Sequence, residues 1–159
     1  MPDTVLLHPN RDTAEAKSTR AIVVLLLLVS AALVLIVTLG GWSLLEGAQA
    51  VSFGFVIVYV VMAYYVWRWN RGLLPVAAAL AVLLGVFAAV AAPGWFERDK
   101  EGFAESTLEP ALLGLLTLII VPVQLLLVLF AMRGFQQRWN IEVEVTRDEA
   151  ERRGGLQAA

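Results

Sequence analysis

The sequence contains no cysteine and a single histidine, His8, among its 159 residues. The lack of cysteine excludes disulfide bonds, thiolate metal sites, iron–sulfur clusters and a cysteine nucleophile. One histidine, placed in the polar N-terminal segment, excludes bis-histidine haem ligation by one chain. Convergent serine–histidine or carboxylate–histidine groups are also missing. We therefore expect no catalytic residue, no metal site and no cofactor.

Charge is also scarce, since only 16% of the residues are charged while 59% are hydrophobic. An ordinary soluble domain has roughly 45 to 50% apolar residues. The charged residues lie outside the apolar runs, so the residue types that mark proton relays and ion paths are missing there. No basic patch of the kind that binds nucleic acid is present either. The composition therefore predicts a membrane protein and favours neither an enzyme nor a nucleic-acid partner.

Four apolar runs are long enough to cross a bilayer, because about 20 helical residues span a hydrocarbon core of about 30 Å. They cover residues 21–41, 50–68, 73–92 and 109–132, and Pro93 with Gly94 is expected to end the third. The predicted fold is an all-α membrane protein with a bundle of four transmembrane helices over 21–132. A flexible N-terminal tail (1–20) and a C-terminal tail (133–159) flank it.

Basic residues next to these runs indicate the orientation. The side that holds both termini contains Arg11, Lys17, Arg20, Arg68, Arg71, Arg133 and Arg138. The opposite side has only Arg98 and Lys100 near its spans. The positive-inside tendency then predicts cytoplasmic termini. Because arginine outnumbers lysine and alanine, valine, leucine and glycine are abundant, we expect a multi-pass protein of a bacterial cytoplasmic membrane.

Small residues at regular spacing predict where the helices pack, because lipid does not drive helices together and close backbone approach must do so. The predicted packing positions are Ala77, Ala81, Gly85 and Ala89 in the third run and Gly114 and Val121 in the fourth. The large aliphatic residues between them are expected to face lipid or a partner.

A proline and a glutamine interrupt the fourth run at Pro122 and Gln124. Gln124 shares a helical face with Thr117, and we expect it to form a hydrogen bond with Tyr59 of the second run near mid-membrane. Pro122 should bend its helix and free a backbone carbonyl. Tyr59, Thr117, Pro122 and Gln124 are thus predicted to form either a buried interhelical contact or a ligand cleft. The span hydroxyls are expected to bond to carbonyls of their own helix.

Aromatic residues outside the runs are candidates for contacts with the membrane interface or a partner. Trp95, Phe96 and Phe103 interrupt a charged loop, as interfacial anchors do. Trp69 and Trp139 occupy the centres of two "RWN" triplets that follow the second and fourth runs. The C-terminal tail alternates apolar and polar residues over 141–146, a strand pattern that could pair with a partner's sheet. Disorder or an extension of the last helix is favoured over such pairing.

These observations predict a non-catalytic integral membrane protein that is an accessory or scaffold subunit of a larger bacterial membrane complex. Its partners would be the lipid bilayer and other membrane subunits or further copies of itself. The alternative is a small self-associating transporter or channel, or a binder of an apolar ligand such as a lipid or quinone near Pro122. A sealed interior would favour the subunit, whereas a cavity that reaches Tyr59, Thr117 and Gln124 would favour transport or ligand binding.

Overall fold

The computed structural model describes residues 4–100, 102 and 105–157, with side chains described up to residue 153. In chain order the elements are β1 (Thr4–Leu7), α1 (Pro9–Asp12), α2 (Ala14–Gly40), α3 (Gln49–Trp67), α4 (Leu73–Glu97), α5 (Pro110–Gln136), β2 (Val143–Thr146) and α6 (Arg147–Gln157). Helices α2 to α5 are each long and apolar enough to cross a membrane. The prediction of a mostly helical, multi-pass membrane protein is confirmed.

Three helix boundaries differ from those expected, and one of them is the end of α5, which lies at Gln136 and not at residue 132. Helix α2 begins at Ala14, well before the first apolar run, because the Thr13 hydroxyl accepts a hydrogen bond from the amide of Ala16 at 3.1 Å. Helix α4 does not end at Pro93 but continues to Glu97. A proline removes only one backbone hydrogen bond, and membrane helices tolerate such interruptions.

The two tails form an antiparallel ribbon, in which Thr4 of β1 pairs with Thr146 of β2 and Leu7 with Val143. The expectation of a flexible tail over 1–20 is therefore corrected from Thr4 onward. The apolar alternation of the C-terminal tail does form a strand, but its partner is this chain's own N-terminal segment. Local pattern could not identify a partner so distant in sequence. We call the end of the helices that holds the ribbon the ribbon end.

The helices pack in an order that differs from their order in the chain. Helix α4 packs along α5, α5 packs against α2, and α2 packs against α3. Helices α3 and α4 are joined by the short connection 68–72 but contact each other only slightly. The opposite end, which we call the loop end, holds the connection 41–48 and the described part of 98–109. Here the amide of Leu108 donates to the carbonyl of Gly40 at 3.1 Å.

The predicted packing positions of α4 are only half right. Ala77 and Ala81 are buried, and Gly85 is half-buried opposite Gln124, which a methyl group at Gly85 would contact, but Ala89 is exposed. Ala88 is buried instead. Each step of four residues turns about 40° past a full helical turn, so a row of such steps rotates away from the contact face. The buried positions of α4 instead combine steps of three and four residues.

On α5 the predicted packing face is largely buried against the other helices. Gly114 is buried, and a side chain there would collide with the ring of Phe96. Val121 is half-buried. Three large residues expected to face lipid or a partner are buried in the core, namely Leu113, Ile120 and Leu127. The leucine surface of α5 is therefore narrower than the sequence indicates.

Candidate functional site

Three side chains from three helices form a hydrogen-bonded chain near the middle of the spans. The Tyr59 hydroxyl donates to Gln124 Oε1 at 3.0 Å, and Gln124 Nε2 donates to Ser30 Oγ at 2.9 Å. The Ser30 hydroxyl in turn donates to the carbonyl of Leu26 at 2.7 Å. All three side chains are almost fully buried. We call Ser30, Tyr59 and Gln124 the polar layer, and it links α2, α3 and α5.

The expected bond between Tyr59 and Gln124 is thus present in the structure, whereas Ser30 was missed as a partner. Ser30 was expected only to bond back to its own helix, which it also does. A hydroxyl can donate one bond and accept others, so it satisfies both neighbours. The sequence did contain one indication of this bond, because Ser30 lies halfway along the first run, at a depth similar to that of Gln124 in the fourth. With these bonds made, the polar layer has no unsatisfied side-chain group facing inward.

Pro122 itself lines neither of the two cavities next to the polar layer. It is exposed on the outer surface of α5, while Gln124 is buried. Two residues along a helix differ by about 200° in direction, so the two side chains lie on nearly opposite faces. One of these cavities, of about 290 Å³, lies between α4 and α5 and is lined by Val121, Gln124 and Leu125 but not by Pro122. A ligand cleft near Pro122 therefore stays a prediction.

The other cavity, of about 370 Å³, lies between α3 and α4, on the loop-end side of the polar layer. Its wall includes Val34, Phe55, Phe87, Ala88, Thr117 and Ile120. This volume is within the range of known small-molecule sites. Of the four residues predicted to form a contact or cleft, only Thr117 lines this larger cavity. The cavity exists because α3 and α4 are separated. The residue pattern of one helix cannot predict how far that helix lies from another.

The interior of the cavity is apolar. The hydroxyls of Thr38 and Thr117 line it, but they donate to the carbonyls of Val34 and Leu113 at 2.6 and 2.7 Å. The expectation that span hydroxyls bond to their own helix is confirmed for these two residues. The rings of Phe55 and Phe87 meet edge to face across the cleft, with centroids 6.2 Å apart. The cavity therefore offers mainly hydrocarbon to any molecule inside it.

The loop aromatics have roles different from those expected. Trp95 is only 3% exposed and packs in a core cluster with Val37, Leu44 and Leu113. It is a core residue that also lines the cavity, and not an interfacial anchor. Phe96 is 43% exposed and packs against Gly114. Phe103 lies outside the described residues.

Two charged residues line the loop-end mouth of the cavity, Arg98 and Glu46. The guanidinium carbon of Arg98 lies 5.3 Å from the ring centroid of Trp95. Within the described part of the chain, neither charge forms a hydrogen bond or an ion pair. The indole Nε1 of Trp95 also has no hydrogen-bond acceptor among these residues. The mouth thus presents two donors and one carboxylate, none of which has a hydrogen-bond or ion-pair partner among the described residues.

The tryptophans of the two "RWN" triplets meet at the ribbon end. Their rings, of Trp69 and Trp139, lie edge to face with centroids 5.3 Å apart. Trp139 is completely buried and Trp69 half-buried. The expectation that Trp139 contacts a partner is therefore wrong, because α3 and α5 both end here and bring the two triplets together. Arg11 Nε donates to the carbonyl of Trp139 at 2.8 Å, and Arg71 Nε to that of Phe135 at 2.7 Å.

The described residues contain no group of three or more histidine, aspartate or glutamate side chains that could hold a metal ion. We therefore take the apolar cavity and its charged mouth as the candidate functional site. No family model, curated protein or solved structure matches this chain.

Proposed function

We propose that the protein is a non-catalytic integral membrane protein that binds an apolar molecule of the lipid or quinone class in the cavity between α3 and α4. The observation that carries this proposal is the cavity of about 370 Å³, walled by hydrocarbon and set within apolar helices. An empty apolar space forfeits dispersion contacts along its whole wall. An apolar occupant would restore those contacts without breaking any hydrogen bond of the wall.

The bilayer is the natural source of such a molecule. Helices α3 and α4 contact each other only slightly, so the cleft opens to the side of the helices. Phe87 lines the cavity and is 48% exposed, which places it at this opening. An apolar molecule can enter here from the hydrocarbon region without crossing water.

The polar layer argues against the transporter or channel alternative. Gln124 satisfies both its donor and its acceptor within the chain, and the Ser30 and Tyr59 hydroxyls donate to protein acceptors. The cavity wall includes none of these three residues. A path through a single copy would have to break this buried layer. We therefore place ligand binding ahead of transport.

The accessory-subunit hypothesis remains our second candidate, supported by the ordered ribbon end. There β1, β2 and the buried Trp139 give both tails a defined surface that a partner can recognise. Because basic residues are concentrated at this end, we propose that it faces the cytoplasm of a bacterium. Purification from native membranes in mild detergent tests the hypothesis, and recovery of this chain alone would contradict it.

Substitutions in α4 test ligand binding. Ala91 lines the cavity, so Ala91→Phe should fill it, whereas Ala79 is exposed outside it and Ala79→Phe is the matched control. Native mass spectrometry of the full chain, released from its own membrane in mild detergent, measures what is bound. We expect one retained apolar or amphipathic molecule in the wild type and in Ala79→Phe, and none in Ala91→Phe. An empty wild-type protein, or retention unaffected by Ala91→Phe, would overturn the proposal.

A further inference from the structure

The mouth of the cavity differs chemically from its interior. Arg98 and Trp95 present donors there that no described residue accepts, next to walls whose hydroxyls donate to their own helices. The Trp95 ring is only 3% exposed, but its N–H is not one of the buried atoms that lack a partner, so the N–H remains accessible to a bound molecule. Both donors are therefore available to an acceptor that a bound molecule brings to the mouth.

The type of acceptor follows from the donors. Arginine offers a fork of N–H groups that suits phosphate and carboxylate oxygens, and indole offers a single N–H to an oxygen. The guanidinium carbon of Arg98 lies 5.3 Å from the Trp95 ring centroid, so the two donors are close enough to serve one head group. An apolar chain with a neutral carbonyl would satisfy the indole but leave the guanidinium without a counter-charge. An acidic, oxygen-rich head group satisfies both.

Glu46 adds a second requirement. It lines the same mouth but forms no ion pair with Arg98 in the described structure. The nearby Glu97, Asp99 and Lys100 are exposed and do not line the cavity. A head group whose only charge is a phosphate would leave Glu46 without a counter-charge, whereas an added ammonium group would pair with it.

We propose, building on the ligand-binding function above, that the bound molecule is a zwitterionic phospholipid. Its phosphate binds Arg98 and the indole N–H of Trp95, its ammonium group lies near Glu46, and one acyl chain occupies the cavity. The loop-end mouth is then a head-group site, and the edge-to-face rings of Phe55 and Phe87 contact the chain.

Three lipids with identical acyl chains serve as probes, namely phosphatidylethanolamine, phosphatidylglycerol and diacylglycerol. The delipidated full-length protein is titrated with each in detergent, and native mass spectrometry measures the bound fraction. The variants Arg98→Gln, Trp95→Phe and Glu46→Gln are compared with Lys100→Gln, which changes an exposed charge outside the cavity. Trp95→Phe keeps an aromatic ring while it removes the N–H. Thermal unfolding confirms that each variant is folded.

We expect the wild type to prefer phosphatidylethanolamine over phosphatidylglycerol and both over diacylglycerol. Arg98→Gln should weaken binding of both phospholipids about tenfold or more, and Trp95→Phe should weaken it about threefold. Glu46→Gln should abolish the preference for phosphatidylethanolamine, and Lys100→Gln should change nothing.

Each contrary result has a separate meaning. Diacylglycerol bound as tightly as the phospholipids would overturn head-group recognition while the apolar cavity remains a binding site. Equal binding of the two phospholipids by the wild type would overturn the zwitterion assignment. Failure of all three lipids to bind, with Ala91→Phe also without effect on the native protein, would overturn the proposed function itself.

Discussion

Two buried tryptophans at opposite ends of the helices show how differently those ends are built. At the ribbon end, Trp139 is fully buried and its Nε1 donates to Gln137 Oε1 at 3.0 Å. At the loop end, Trp95 is only 3% exposed, yet its Nε1 has no acceptor among the described residues. Both rings contribute apolar contact, but only one is satisfied within the chain. The ribbon end is a closed structural core, whereas the loop end leaves room and donors for another molecule.

Other hydrogen bonds also differ between the ribbon end and the loop end. At the ribbon end, Asn10 Nδ2 donates to the carbonyls of Gln137 and Arg138, both at 3.1 Å, and Gln137 Nε2 donates to Thr19 Oγ1 at 3.0 Å. The tails are thus held to the helices by side chains far apart in sequence. At the loop end, Ser43 donates to the carbonyl of Glu105 at 2.8 Å, a contact between two connections. We expect perturbations of the ribbon end to affect stability, and those of the cavity mouth to affect binding.

The largest loss of stability should follow Trp139→Ala. Removal of a fully buried indole leaves a cavity and takes away the donor to Gln137 Oε1, and such changes cost about 3 to 5 kcal/mol in well-packed cores. Trp42→Ala is the control, since Trp42 is 49% exposed. Thermal unfolding in detergent measures both. Equal destabilisation by the two variants would contradict a ribbon-end core.

A glycine at the loop end should be next in effect. A methyl group at Gly41 would collide with the ring of Trp95, so Gly41→Ala should displace that ring and cost about 1 to 3 kcal/mol. Gly94 has no neighbour where a methyl group would lie, and it is within α4. Gly94→Ala should therefore leave stability unchanged or raise it by up to about 1 kcal/mol. Unfolding in detergent compares the pair, and a neutral Gly41→Ala would show that Trp95 is free to move.

The polar layer should contribute an intermediate amount. Gln124→Leu removes both bonds of Gln124 and leaves the Tyr59 hydroxyl buried without an acceptor. Interhelical hydrogen bonds in membranes are worth about 0.6 to 2 kcal/mol, so we expect a loss in this range. A double-mutant cycle with Tyr59→Phe isolates the bond between the two residues. Unchanged or increased stability of Gln124→Leu would show that the layer is not stabilising.

The smallest effect should come from the exposed ion pair of Glu15 and Arg133 at the ribbon end. Its atoms lie 2.5 Å apart, but the two side chains remain 62% and 54% exposed. Solvent screens such pairs, so Glu15→Gln should cost less than about 1 kcal/mol and lose its effect at high salt. Denaturation at two ionic strengths checks this. A larger, salt-independent loss would mean that Glu15 has another role in folding.

Prediction from sequence succeeded where one helix face carried the information. Gln124 and Tyr59 are polar residues at matching depth in two apolar runs, and the structure brings them together. Prediction failed where the answer depended on the relative positions of segments. The strand β1 was missed because its partner lies at the other end of the chain. Ala89 is exposed because residues spaced by four gradually rotate away from the contact face of the helix.

The cavity is one of the features that depend on the relative positions of segments and could not be predicted from sequence. Its wall combines residues of α2, α3, α4 and α5, and its existence depends on the slight contact between α3 and α4. Thr117 was expected at a cleft for its polarity, but its hydroxyl is satisfied by its own helix. Trp95 and Arg98 were assigned to a charged interfacial loop, because no local pattern shows that α4 continues past Pro93 and places them at the mouth.

The central claim is that the cleft selects one molecule from the bilayer, and photocrosslinking tests it most directly. Benzoylphenylalanine replaces Phe87, which lines the cavity, or Ile57, which is 62% exposed on α3 outside it. Native membranes are irradiated and the adducts identified by mass spectrometry. We predict adducts at position 87 that are enriched in one amphiphile and lost with Ala91→Phe, against adducts at position 57 that match the bulk lipid. The same bulk composition at both positions would contradict the claim.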